Sequence, residues 1–452
     1  MPYRTYMTYE QALAFWYGRI DYERRQPRPG DLKLDRMRAL LRRLGDPHHR
    51  VRSIHVAGTK GKGSTSALLA AVLRAAGHRT GLFTSPHLSD ISERVQVDGV
   101  PITRAEIAAR MGEVAAAVAQ LDAEGDPTRS PTFFEVITAL GFVHFDCRRV
   151  DIAVLEVGLG GRFDSTNVCE PLVSVVTNIS YDHMALLGDT ISEIAFQKAG
   201  IIKRRVPVVT TADDPEALAV IESVAAESLA PLTVVGRDVG WTHEPAVPFE
   251  AGAVWVTTDR HVWGRLPLAL HGGHQGANAA GVVAAVERLR NAGLTIPERA
   301  VYNGFRDVVW PARLELLCRR PVVVLDCAHN VASAEALVRT LRATFPVTGR
   351  RHLIFASSTD KQIPEMLAVL APEFDHFHLT RYQSNPRSAD PAGVANALRT
   401  LGRSRIHFHE TPDDAWRAAW SRAGPEDGIV IAGSVFLAGE LRPLMVQDCR
   451  AV

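Results

Sequence analysis

Cysteine is scarce in this sequence. The 452 residues contain five: Cys147, Cys169, Cys318, Cys327 and Cys449. They are scattered, odd in number and include no Cys-x-x-Cys pair. That excludes a disulfide-stapled scaffold and a cysteine-based zinc site, and it is the usage expected in a reducing cytosol. Long apolar runs are also missing. None approaches the roughly 18 residues of a membrane-spanning helix, and the first turns carry charges where a secretory leader needs an apolar stretch. Nor does charge of one sign accumulate: 51 Lys plus Arg face 50 Asp plus Glu. That balance argues against bulk attraction to nucleic acid or an anionic membrane. The expectation is a soluble, cytoplasmic, monomeric protein that binds neither.

What is present is ordinary globular composition in a chain long enough for two or three domains. Short apolar runs alternate with longer amphipathic ones, which predicts an α/β fold with a largely parallel sheet. Residues 53–58 read as a buried strand. The stretch from Ser64 reads as a helix, with Leu68, Leu69, Val72, Leu73 and Ala76 on one face and Gly77 at its C-terminal cap. Residues 151–158 and 172–180 read as further buried strands. A second series starts near Trp310, with strands at 321–330, 351–358, 375–380 and 428–434. The expected domains are 1–309 and 310–452. Residues 231–270 show no clear period.

Between the first strand and helix lies Gly58-Thr59-Lys60-Gly61-Lys62-Gly63-Ser64-Thr65. Glycines let backbone N–H groups approach phosphate oxygens, and the helix presents its positive end. Lys62 suits the β and γ phosphates, and Ser64 or Thr65 offers a hydroxyl to Mg²⁺. Val56 and Gly63 break the general P-loop pattern, so a glycine-rich turn with solvated lysines is the alternative. Glu156 ends an apolar strand, at the sheet edge where open α/β folds bind ligands. A carboxylate buried there needs a partner, either Mg²⁺ or Arg162. His183 and Ser85 follow strands. By spacing alone the first is a structural hydrogen-bonder and the second a turn residue. Lys198, near a helix C-terminus, suits the dipole. Asn278 opens a helix, Arg313 stands at the domain join where it can reach a transferring phosphate, and Asp326 ends a strand. Phe133 and Phe134 read as core.

These segments also carry a resemblance. IHVAGTKGKGST, TSPHL with ERV, TFFEVITAL, VLEVGLGGRFDSTN, TNISYDH, QKAGIIK, HQGAN, WPARLE, DCAHN, TDK, NPRS and GSVF occur in the order and approximate spacing of the folylpolyglutamate synthase/dihydrofolate synthase family of the Mur ligase superfamily. The resemblance covers most of the chain. It implies a P-loop-containing Mur-ligase-like ATPase domain followed by a smaller Rossmann-like α/β domain. It implies ATP bound by Gly58 to Thr65 with Asn278, Arg313 and Asp326, and Mg²⁺ held by Ser85, Glu156 and His183, next to the Ser64 hydroxyl that the loop itself offers. Lys198 is implied to be carbamylated by CO₂. His329, and with it Ser434, is implied near the acceptor amino acid. Residues 8–45, Phe134, Gly161, Arg162 and Asp164 match the substrate side. The implied reaction joins L-glutamate to dihydropteroate or a folate through an acyl phosphate. The other readings are a Mur ligase acting on a UDP-muramyl precursor and a non-catalytic nucleotide-dependent interaction protein. Lys60, Gln197, Ala312, Cys327 and Val331 depart from the common family residues without removing an implied ligand.

Overall fold

The computed structural model describes residues 7–22, 31–244 and 247–450. Part of the stretch matched to the substrate side, residues 23–30, lies outside them. The first sheet contains β1 (Ser53–Ala57), β2 (Thr80–Phe83), β3 (Val95–Val97), β4 (Val100–Pro101), β5 (Ile152–Glu156), β6 (Pro171–Val176), β7 (Val208–Thr210) and β8 (Leu232–Val234). Their spatial order is β4-β3-β2-β5-β1-β6-β7-β8. All neighbours are parallel except the β2–β3 and β3–β4 pairs.

Alternation along the strands explains why this sheet is buried on both faces. Ile54, Val56, Ile152 and Val154 join one core with the helices Lys62–Ala75 and His274–Asn291. Ala153 and Leu155 point the other way, into a core shared with Arg104–Asp122 and Phe133–Cys147. Such two-sided burial is what continuous apolar strands predict. The nucleotide-loop helix begins at Lys62, two residues before the sequence reading placed it, and Gly77 follows its end with φ +90°.

The stretch without a clear period folds as an antiparallel sheet of β9 (Gly240–Glu244), β10 (Ala253–Thr257) and β11 (Val262–Pro267). Val254, Val256, Trp263 and Leu266 anchor it to the first core. It hid because its strands are short and one face is wet.

The second sheet holds β12 (Glu315–Arg319), β13 (Val322–Leu325), β14 (Arg351–Phe355), β15 (His376–Leu379), β16 (Ile406–Phe408) and β17 (Gly428–Ala432), in the order β12-β13-β17-β14-β15-β16. Only β12 runs antiparallel to its neighbour. Asp326 therefore follows the second strand of this unit, not the first. The helix before the join ends at Asp307. The two units touch beyond the join: Ser89 Oγ donates to the Gly439 carbonyl at 3.0 Å, and Leu88 packs into the second unit's core.

Candidate active site

The loop after β1 crosses the C-terminal edge of the first sheet, where β5 and β6 flank β1 on opposite sides. This is the topological switch point at which open α/β sheets bind ligands. Its backbone requires glycine twice. Gly58 has φ +144° and faces Thr177 too closely for a Cβ; Gly61 has φ +86° with the Asn278 amide against it. The loop is pinned from β6: Thr59 N–H donates to the Asn178 carbonyl at 2.7 Å, and Thr177 Oγ1 donates to the Lys60 carbonyl at 2.7 Å. Gln275 bridges Ser64 Oγ at 3.4 Å and the Asn278 amide at 2.9 Å. The first turn of a distant helix thus roofs the loop. Lys62 Nζ folds back onto the Gly58 carbonyl at 3.1 Å, and the Thr65 hydroxyl is buried without a hydrogen-bond partner.

Beside this loop lies a cavity of about 770 Å³ between the two units. Ser85, Phe134, Asp164, His183, Arg313, His329 and Ser434 line it. Glu156 is buried next to it, accepting from Ser85 N–H at 3.3 Å. Burial pushes its carboxyl up to about 7 against the pull of Lys62 and Arg313. Lys198 Nζ donates to the Gly58 carbonyl at 2.9 Å. Burial, then Lys62, holds this amine well below the ordinary lysine range. Burial lowers His329 to about 3, so its ring is neutral at pH 7, while His183, half-exposed on the cavity wall, is also lowered from its ordinary value.

The structure sorts the substrate-side candidates. Phe134 faces the cavity, while its neighbour Phe133 is core, stacked on Trp16 at 4.8 Å. Asp164 lines the cavity but its carboxylate is engaged, accepting from the N–H groups of Gly158, Leu159 and Thr166 and from the Thr166 hydroxyl. It shapes the glycine loop after β5. Gly161 and Arg162 are not on the cavity wall. Gly161 lies against the Lys198 backbone, and Arg162 stacks over Phe196 at 4.0 Å, so both brace the helix Ile191–Ala199 that carries Lys198. The alternative pairing of Glu156 with Arg162 is not formed. Asp326 likewise holds the join, accepting from Leu314 N–H at 2.8 Å and Ala328 N–H at 2.7 Å.

Three residues were not singled out from sequence. Asp182 lies 3.5 Å from Lys60 in the loop and 3.5 Å from Lys361 in the second unit. Burial opposes its ionisation, yet Lys60, His183 and Lys361 hold it well below the usual carboxylate range. Arg36 pairs with buried Glu135 at 3.0 Å on the cavity wall. The first two sit in the YDH and TDK motifs, and that position was their available signal. Arg36 had only its place in the 8–45 stretch, because its partner is 99 residues away.

The Mur ligase middle domain matches residues 56–286, and the Mur ligase glutamate ligase domain matches residues 312–435. The Bacillus subtilis dihydrofolate synthase/folylpolyglutamate synthase is 36% identical over 440 residues, covering 97% of this chain and 99% of the relative. The solved Mycobacterium tuberculosis folylpolyglutamate synthase complexed with ADP superposes with a TM-score of 0.87 at 34% identity, covering 97% and 98% of the two chains. Escherichia coli FolC in complex with DHPP and ADP superposes with a TM-score of 0.83 at 30% identity over the full length of both. Two matched Mur ligase domains and relatives aligned from end to end establish that this chain belongs to the folylpolyglutamate synthase/dihydrofolate synthase family of Mur ligases.

Proposed function

We propose that this protein is an ATP-dependent ligase that forms an amide between L-glutamate and a folate-type acid: dihydropteroate, a reduced folyl(poly)glutamate, or both. ADP and phosphate are released. The reading rests on one arrangement above all: a glycine phosphate loop and a buried carboxylate lie beside a cavity lined by both domains.

The chain's own groups divide the work. Loop N–H groups from Gly58 to Thr65 and the Lys62 ammonium hold the nucleotide phosphates, with Asn278 over the loop and Asp326 toward the ribose. The acid enters past Phe134, and its carboxylate attacks the γ phosphorus in line. Arg313, reaching from the join, stabilises charge on the transferring group. The acyl phosphate is then attacked by the glutamate amine, placed by His329 and Ser434. Neutral His329 suits an amine that must arrive unprotonated. Domain closure keeps water from the acyl phosphate.

Magnesium fits this site, because among the described residues the buried Glu156 carboxylate accepts a single hydrogen bond, from the Ser85 N–H, and the Thr65 hydroxyl is unpartnered. Ser64, Ser85, Glu156 and His183 are the residues to hold it, where it supplies charge neutralisation at the phosphates. Lys198, buried and with a lowered pKa, is suited to carbamylation. No described helix is long and apolar enough to cross a membrane, and all five cysteines are free. A cytoplasmic monomer is the form proposed. The test is ATP-dependent phosphate release with dihydropteroate or tetrahydrofolate crossed with glutamate and other amino acids. Lys62→Ala and Glu156→Gln serve as controls. Release only with a UDP-muramyl acceptor overturns the reading.

A further inference from the structure

Five histidines gather on one face of the second sheet, and none of them lines the ligand cavity. Strand alternation puts them there. Leu353, Phe355, Phe377 and Leu379 enter one core, while Ile354 faces the other, under the helix Pro412–Arg422. His352, His376 and His378 share Ile354's face. Parallel register sets His352 beside His376 and His378 beside His407, and the repeated His-Phe-His at 376–378 and 407–409 doubles the rings.

The rings meet through their nitrogens. His376 Nδ1 lies 3.4 Å from His407 Nε2, His352 Nδ1 lies 3.2 Å from His378 Nε2, and His378 Nδ1 lies 3.1 Å from His409 Nε2. The His376 and His407 planes differ by 18°, and their centroids are 5.7 Å apart. Behind them, His352 stacks on His376 at 4.8 Å and His378 on His407 at 5.0 Å. His352 and His378 are buried; His376 and His407 are partly exposed.

We propose that His376 and His407 are the protein ligands of a site for a divalent late transition metal, of the Zn²⁺ or Ni²⁺ kind, that clamps edge strand β16 to β15. Two nitrogens bound to one tetrahedral ion by bonds of about 2.0 Å lie roughly 3.3 Å apart, the separation already present between Nδ1 of His376 and Nε2 of His407. Imidazole donors without a carboxylate select late transition metals over Mg²⁺ or Ca²⁺. Metal replaces the N–H shared by the pair, and the displaced proton moves to the donor ring's other nitrogen, so no net charge leaves the rings. His352 and His378 are positioning residues that fix the two ring planes. Waters complete the coordination at the open strand edge.

The experiment titrates the full-length protein with Zn²⁺ and Ni²⁺ in a calorimeter, with Mg²⁺ as comparison. The expected result is one Zn²⁺ per chain, weakened about ten-fold or more by His376→Ala or His407→Ala. His49→Ala is the control for the Asp46, His48 and His49 cluster, whose ligand atoms also lie within 4.8 Å of one another; it leaves the affinity unchanged. Absent binding, equal binding by the His376 and His407 variants, or a loss caused by His49→Ala overturns the proposal. Zinc K-edge absorption on the unaltered protein gives a readout independent of whether the variants fold. Imidazole scattering supports the site, and its absence overturns it.

Discussion

The amine nitrogen of Lys198 lies 2.9 Å from the carbonyl oxygen of Gly58, so the end of one helix is tied to the first residue of the phosphate loop. Burial and the neighbouring Lys62 favour the neutral amine, and a neutral amine is the form that adds CO₂. Lys198→Met is expected to lower kcat by about a hundred-fold, the scale for losing one fixed electrostatic group in an active site. With ¹³C-bicarbonate, the unaltered protein should show a carbamate resonance that the variant lacks. Full activity in CO₂-depleted buffer, with no label incorporated, would remove the carbamylation reading and leave Lys198 as a loop anchor.

Glu156 makes a prediction about pH. Its folded carboxyl is raised to about 7 by burial, above the ordinary 4.5. Between those values the folded state holds a proton that the unfolded state has lost. The stability contribution is therefore full below about 4.5 and fades as pH rises through 7. A shift of this size corresponds to about 3 kcal/mol. Without Mg²⁺, the melting temperature of the unaltered protein should fall relative to Glu156→Gln between pH 5 and pH 8. Mg²⁺ with ADP should cancel that fall by pairing the charged carboxylate. Parallel melting curves for the two proteins across this range, without ligand, would refute the assignment.

Asp182 is held between Lys60 of the loop and Lys361 of the second domain. Lys361→Ala leaves Asp182 its loop partner but cuts the link across the cleft. The expected effect is on closure: kcat falls by about ten-fold while ADP affinity barely moves, since the phosphate loop is intact. Raising ionic strength should reproduce part of the defect in the unaltered enzyme, because these side chains are not fully buried. An equal loss of ADP affinity in the variant would place Lys361 on the nucleotide instead.

The parts of this molecule legible in its sequence are those whose signal is local. Ile54, Val56, Val154 and Leu155 sit in continuous apolar strands, and the glycines at 58 and 61 announce a backbone that only glycine follows easily. Glu156, Ser85 and His183 stand out by motif and chain order; Ser85 and His183 line the cavity, and Glu156 is buried behind Ser85. What stayed hidden depends on contacts distant in sequence. The three-stranded sheet of β9 to β11 has one exposed face and short strands, so its period is weak. The Arg36–Glu135 pair and the Asp182 bridge need folded geometry to exist at all. Arg162 shows the opposite failure. A charged residue in a motif looks like a ligand-binding group, yet it stacks over Phe196 and braces the helix of Lys198.

Phe133 and Phe134 are adjacent, chemically identical and indistinguishable by spacing, but the helix turns them to different surroundings. Phe133 is 2% exposed, packed among Trp16, Val136 and Ile137. Its neighbour lines the cavity and meets Phe83 edge-on at 6.1 Å. Phe133→Ala should therefore cost about 3–5 kcal/mol of stability through lost burial and the cavity left behind. Its effect on KM for the folate-type acid should be small in whatever fraction stays folded. Phe134→Ala removes an aromatic surface from the substrate wall and little from the core. Its melting temperature should stay close to that of the unaltered protein while KM for the acid rises by about ten-fold. Denaturant melts and initial rates on both variants decide the matter: if Phe134→Ala unfolds as easily as Phe133→Ala with unchanged KM, the cavity wall at this position is core and the acid binds elsewhere.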